Sequence, residues 1–282
     1  MGAHVHRTYL EVCKGDIAVL EKQVTLSAGT LINLIRRRDG EPHTVLAETP
    51  TWYSEEAQRK EDERANEELA RQGLHGHRGL QPGLLATIEA VSRPQVEYFG
   101  WIDGGYEGKA LSYTLLAGSA GGEAFVLARN PEYESIVLAS VKPEELLEAF
   151  VTQIPKLAPG RGSPLAVPKS QVMNTGRAST SQEDGFTVLR REQRNPSGQD
   201  ADELRRILAL RRMGGGSLYV AVRGRSGSRR RIDRPVNYID TSEGRWLTEE
   251  VPGSGEPLIA FTPANQQVLA ERLQNAQSKL FA

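Results

Sequence analysis

The chain has 282 residues, 25% of them charged, and a formal net charge of −1. That length is enough to bury a sizeable core, and the near-zero charge excludes a global field that would draw the protein to nucleic acid or an anionic membrane. Its single cysteine, Cys13, excludes an internal disulfide and suits a reducing compartment. No apolar run approaches the ~20 residues of a bilayer span, and Ile17–Leu20 sits between charged residues unlike a secretory signal. The expected location is the cytoplasm, without membrane insertion.

Residues 1–23 read as an N-terminal extension of mixed polarity. Val24-Thr25-Leu26-Ser27-Ala28 is a short strand entering a helix. Ser54–Gln72 is a helix with Ser54 as N-cap, Glu55 and Glu56 in its first turn, and i,i+4 pairs Glu55/Arg59, Glu56/Lys60 and Glu67/Arg71. Its apolar stripe, Ala57, Ala65 and Leu69, is thin, which predicts a largely solvated helix. Leu84–Val91 has helical period. Four strands follow, at Val96–Ile102, Leu111–Leu116, Ala124–Arg129 and Ser135–Val141, and Lys142-Pro143-Glu144-Glu145 turns into a helix over Leu146–Ile154.

Pro155–Pro168, with four prolines and two glycines, marks a joint. Leu165–Lys169 is again a strand entering a helix. Asn174–Gly185 and Asn195–Gly198 read as breaks, and Leu204–Leu210 as a helix. Four more strands, Leu218–Arg223, Pro235–Asp240, Arg245–Glu250 and Pro257–Phe261, run into Thr262-Pro263-Ala264-Asn265 and a helix over Val268–Leu273. The second series repeats the first after roughly 120 residues, too long a period for a solenoid. The fold class is therefore α+β: a central, mostly antiparallel sheet with helical bundles, built from two β-α-α-ββββ-α halves (24–158 and 159–282) related by a pseudo-two-fold. Alternation such as Leu111/Tyr113/Leu115 against Ser112/Thr114 predicts one buried and one more polar sheet face.

The search for chemistry returns no catalytic set. All five histidines (His4, His6, His43, His75, His77) precede residue 78, and His75-Gly-His77 lacks companions for a metal. Ala117-Gly118-Ser119-Ala120-Gly121 lies between strands, with no later histidine, and reads as a hairpin turn instead of a nucleophile elbow. Gly160-Arg-Gly162 and Gly214-Gly215-Gly216 do not bridge a strand to a helix, so neither is a phosphate loop. Glu144/Glu145 and Glu249/Glu250 are adjacent and point apart. No enzyme activity and no cofactor is expected. Arg223–Arg234 carries six arginines interleaved with Gly and Ser. A nucleic-acid contact is open to such a hairpin, but stacking aromatics are missing from it, and a solvated tip or a contact to an acidic partner competes.

Ser217-Leu-Tyr-Val-Ala-Val-Arg-Gly-Arg-Ser-Gly-Ser-Arg-Arg-Arg, followed by Arg234-Pro-Val-Asn-Tyr-Ile-Asp-Thr-Ser-Glu-Gly-Arg-Trp, resembles the C-terminal signature of the EspG family of actinobacterial ESX (type VII) secretion proteins. Val24-Thr25-Leu26, the helix Ser54–Gln72, Ala70-Arg-Gln-Gly-Leu74, Leu80–Val91 and Arg93-Pro-Gln-Val-Glu agree in order, so the resemblance spans roughly Val19–Leu273. It implies a cytosolic, non-enzymatic chaperone that holds PE–PPE heterodimers, or related ESX substrates, by the hydrophobic tip of the PPE subunit. It also implies a partner surface of sheet, C-terminal helical bundle and the loop between the second and third strands, here Ile102–Lys109. The candidate partner-binding residues are Phe99, Trp101, Tyr106 and Tyr219, with Arg229, Arg230 and Arg231 steering association. Core burial is the competing reading for Phe99 and Trp101. The alternatives left open are a nucleic-acid-binding or generic α+β interaction module using the Arg223–Arg234 hairpin, and a homodimer.

Overall fold

The computed structural model describes residues 23–46, 54–77, 79–106, 109–174 and 196–281. Strand β1 (Val24–Ser27) enters helix α1 (Ala28–Arg36), and Ser27 caps it by accepting from the Thr30 N–H. Helix α2 (Glu55–Arg71) is capped by Ser54, and the ion pairs Glu55–Arg59, Glu56–Lys60 and Glu67–Arg71 form along it. Only Ala65 and Leu69 of α2 are buried. Polar bonds fasten it instead: Glu68 accepts from the Ser27 N–H and from the Ser27 and Thr30 hydroxyls, and Asp62 accepts from Asn33.

A short ribbon, β2 (His75–Gly76) with β3 (Gly79–Leu80), precedes helix α3 (Pro82–Ser92), which has proline in its first turn. Strands β4 (Val96–Tyr106), β5 (Lys109–Ala120), β6 (Glu123–Asn130) and β7 (Ser135–Val141) form a meander that ends at helix α4 (Leu146–Thr152). Then come β8 (Leu165–Pro168), α5 (Lys169–Asn174), α6 (Pro196–Ala209), β9 (Arg212–Arg223), β10 (Arg229–Arg231), β11 (Val236–Thr241), β12 (Gly244–Val251), β13 (Leu258–Pro263) and α7 (Gln266–Phe281). Eleven strands join in one sheet of order β1-β7-β6-β5-β4-β9-β11-β12-β13-β8, with β10 added beside β9. Every ladder is antiparallel. From either edge the order is the same: one short strand, then four meandering strands, meeting at the β4–β9 seam.

Alternation along each strand divides the core between the two faces. On the inner face Tyr98, Val126, Val220 and Tyr238 pack under Phe150 of α4 and Leu269 and Leu273 of α7. On the outer face α1 and α3 cover Phe99, Leu116, Phe125 and Leu138. Beyond the seam, Leu204 and Ile207 of α6 pack with Leu165, Trp246 and Phe261 on that same outer face. The segment after α4 is strapped across β12. Gly160 N–H donates to the Arg245 carbonyl, Arg245 N–H donates to the Ala158 carbonyl, and the fully buried Arg245 side chain bonds both Asp240 oxygens (2.7 and 2.8 Å) and the Pro155 carbonyl.

The structure departs from the sequence reading in several places. Both faces of the sheet are covered over most of their extent, where one more polar face was expected; helices pack on both sides. The stretch taken as a loop, Ile102–Lys109, is mostly strand, because Gly104 and Gly105 pair with Leu111 and Ala110. β9 begins at Arg212, so Gly214-Gly215-Gly216 lies within a strand. A Cβ at Gly214 would stand 2.4 Å from the Asp103 carbonyl oxygen, and one at Gly216 would stand 2.7 Å from the Tyr238 ring. These glycines permit close approach and do not mark a turn. Of the presumed Ala117–Gly121 turn only Gly121 belongs to one; it and Gly122, both at positive φ, link β5 to β6. Pro196–Gly198 opens α6 and does not break the chain. Pro263 ends β13, and α7 is capped instead by Asn265, whose side chain accepts from the Val268 N–H. Cys13, nearly all of the extension 1–23 and most of Asn174–Gly185 lie outside the described residues.

Candidate partner-binding site

Period-2 alternation places Glu97, Phe99 and Trp101 on the outer face of β4. Register with β9 then sets Tyr219 beside Phe99 and Ser217 beside Trp101, and β10 lays Arg231 beside Ala221 and Arg229 beside Arg223. Phe99 and Tyr219 stack with centroids 5.2 Å apart at 10° between planes. Trp101 meets both edge-on, at 6.0 and 5.9 Å. Such contacts are worth about 0.5–1.5 kcal/mol per pair beyond burial. Phe99 is the floor, 1% exposed; Tyr219 is half-buried; Trp101 is 41% exposed at the middle of the sheet. Along the same row Ser217 donates to the Asn237 side-chain oxygen over 2.7 Å, which leaves a polar step beside the rings. Met213, farther along β9, is also exposed.

The arginines of β10 have three different employments. Arg229 donates through Nε to the buried Glu97 carboxylate, lies 3.0 Å from His43 Nε2 through Nη2, and holds its guanidinium 5.5 Å over Phe99. Arg230 points to the inner face and donates to the Leu280 carbonyl of α7. Arg231 lies 5.0 Å over the Tyr219 ring and forms no ion pair among the described residues. Elsewhere on the hairpin Arg234 pairs with Glu250, and Arg223 donates to the carbonyls of Pro94 and Gly227. Of the six arginines, four are thus tied to partners inside the fold.

Burial sets the local protonation. His43 is lowered from 6.5 to about 3, by burial first and then by Arg229 and Arg231. It is neutral at pH 7, and because a guanidinium can only donate, Nε2 accepts from Arg229 Nη2 and the ring proton sits on Nδ1. Glu97 is raised, because burial outweighs the attraction of Arg229 and Arg223. Behind this group lies a cavity of about 510 Å³ bordered by His43, Glu97, Arg93, Arg223 and Arg229. Among the described residues no group of three or more His, Cys, Asp or Glu could hold a metal ion, and no helix is long and apolar enough to cross a membrane.

The structure therefore brings together Phe99, Trp101, Tyr219, Arg229 and Arg231 from the sequence-predicted set. It sends Arg230 to the opposite face and buries Phe99, so these two offer nothing to a partner at the patch. Tyr106 closes β4 opposite Lys109, and its side chain lies outside the described part. Tyr219 packs at the edge of the outer core. Sequence reasoning missed His43 and Glu97. The one available signal was Glu97 itself, a carboxylate in phase with Phe99 and Trp101 on a strand.

The sequence matches the EspG family over residues 35–275. No curated protein matches it. Among solved structures it is similar to the Mycobacterium tuberculosis type VII secretion system chaperone EspG5, solved in complex with the PE25-PPE41 dimer, at 14% identity and a TM-score of 0.58. That likeness covers 91% of this chain and 96% of the other, and it is a likeness of fold. With the family matched across both halves of the sheet and the seam between them, the chain belongs to the EspG family.

Proposed function

We propose that the chain is a cytosolic chaperone of type VII (ESX) secretion. It holds a PE–PPE heterodimer by the apolar tip of the PPE subunit, keeps it soluble and delivers it to the secretion machine, without catalysis. Family membership supports the reading, as does the EspG5 relative, which is solved with a PE25-PPE41 dimer. The observation that carries it is Trp101, a large aromatic 41% exposed on a central strand, backed by a stacked Phe99–Tyr219 pair. A helical tip with unburied apolar side chains aggregates unless masked, and masking needs a few aromatic anchors inside a polar rim. Trp101 and Tyr219 are the anchors, Phe99 supports them from below, and Ser217, Asn237 and Arg231 form the rim.

The hairpin arginines favour this reading over nucleic acid, because four of the six are spent within the fold. A pull-down from the native cytoplasm with mass spectrometry tests it. The expected catch is a PE–PPE pair at one-to-one stoichiometry with the chain. Recovery of nucleic acid with steeply salt-dependent affinity, and no PE–PPE pair, would contradict it.

A further inference from the structure

We propose that Arg229 is the positioning residue of the aromatic patch: by bridging Glu97 and His43 over Phe99 it sets the orientation of Tyr219 and Trp101, and it does not touch the client. This rests on the reading of the patch as the client site. Three elements meet at Arg229: β4 through Glu97, the segment after α1 through His43, and β10 itself. His43 lies edge-on to Phe99 at 4.5 Å, so Phe99 is held by the imidazole at its edge and the guanidinium over its ring. Phe99 in turn stacks on Tyr219, and both rings meet Trp101.

Arg229 and Arg231 are two residues apart on one strand face, yet their situations differ. Two nitrogens of Arg229 are engaged inside the fold, whereas Arg231 lies over the Tyr219 ring and forms no ion pair among the described residues. The Glu97 side chain is 4% exposed, and a carboxylate so buried needs its counter-charge. Glu97 is two residues from Phe99 on the same face. Without Arg229 its carboxylate must turn toward water, and the cavity of about 510 Å³ beside it gives both water and side chains room to move. Packing alone does not fix this corner; the charge-assisted bond does.

The test uses the full chain labelled with 5-fluorotryptophan, the Trp101 resonance being assigned from Trp101→Phe. In the free protein, Arg229→Ala is expected to shift or broaden that resonance, while Arg231→Ala leaves it in place. Against the PE–PPE heterodimer that co-purifies with the chain, Arg229→Ala is expected to lose at least about tenfold in affinity through faster dissociation, with the salt dependence unchanged. Glu97→Gln with Arg229→Met removes both charges and should restore the resonance and bring affinity to within about threefold of the parent. That pair also decides the matter should Arg229→Ala fail to fold. An unmoved resonance in Arg229→Ala, or a double variant that regains the resonance but binds as weakly as the single one, overturns the inference in favour of direct contact. A moved resonance with unchanged affinity overturns the client reading of the patch, and with it the role assigned to Arg229.

Discussion

Two acid–arginine pairs mark this fold, and they do opposite things. Asp240–Arg245 is bidentate, buried and tied to the Pro155 carbonyl, so it clamps the segment after α4 to β12. Glu97–Arg229 uses one carboxylate oxygen, borders a cavity and props up a surface patch. The same chemistry in a fully buried site is architecture; beside a cavity and exposed rings it becomes an adjustable support. The difference lies in what surrounds each pair.

The sharpest way to break that contrast is Arg245→Ala. It strands Asp240 without its partner and should cost about 3–5 kcal/mol in urea unfolding, whereas Arg229→Ala should cost global stability much less. Equal losses would remove the distinction. Next in size, Trp101→Ala with Tyr219→Ala should leave the fold intact and weaken client binding by about 2 kcal/mol or more in titration calorimetry.

A smaller effect is expected from pH. Between 6.5 and about 3 the unfolded chain protonates His43 while the folded one does not. Its contribution is therefore complete above the ordinary histidine value and is lost as pH falls through that window. Glu97 has the opposite sign: acidification relieves its burial, so it offsets part of the loss. His43→Gln should accordingly flatten the acid limb, its melting-temperature gap from the parent narrowing from pH 7 to pH 4. Smallest of all, Lys60→Ala breaks a solvated pair with Glu56 on α2 and should change stability by no more than about 0.5 kcal/mol.

Sequence pattern revealed the meanders, the capped α2 with its ion pairs and the single shared sheet, because alternation, cap chemistry and i,i+4 spacing are local. It misplaced the ends of β4 and β9, where glycine serves close strand approach and mimics a turn. The site was half legible. Phe99, Trp101 and Tyr219 stood out as aromatics on strands, but that Phe99 stacks on Tyr219 follows only from the β4–β9 register across the seam. His43 was invisible for the same reason, and Glu97 showed only as a carboxylate in phase with the aromatics: the meaning of both comes from Arg229, over 130 residues away from Glu97 in the chain.

A photo-crosslinking residue at position 101 tests the central claim most directly. With the PE–PPE heterodimer bound, it should yield a crosslink to the tip of the PPE subunit, and the same probe at position 281, at the exposed end of α7, should yield none. Crosslinks from position 281 with silence from position 101 would contradict the account and move the client to the other face of the sheet.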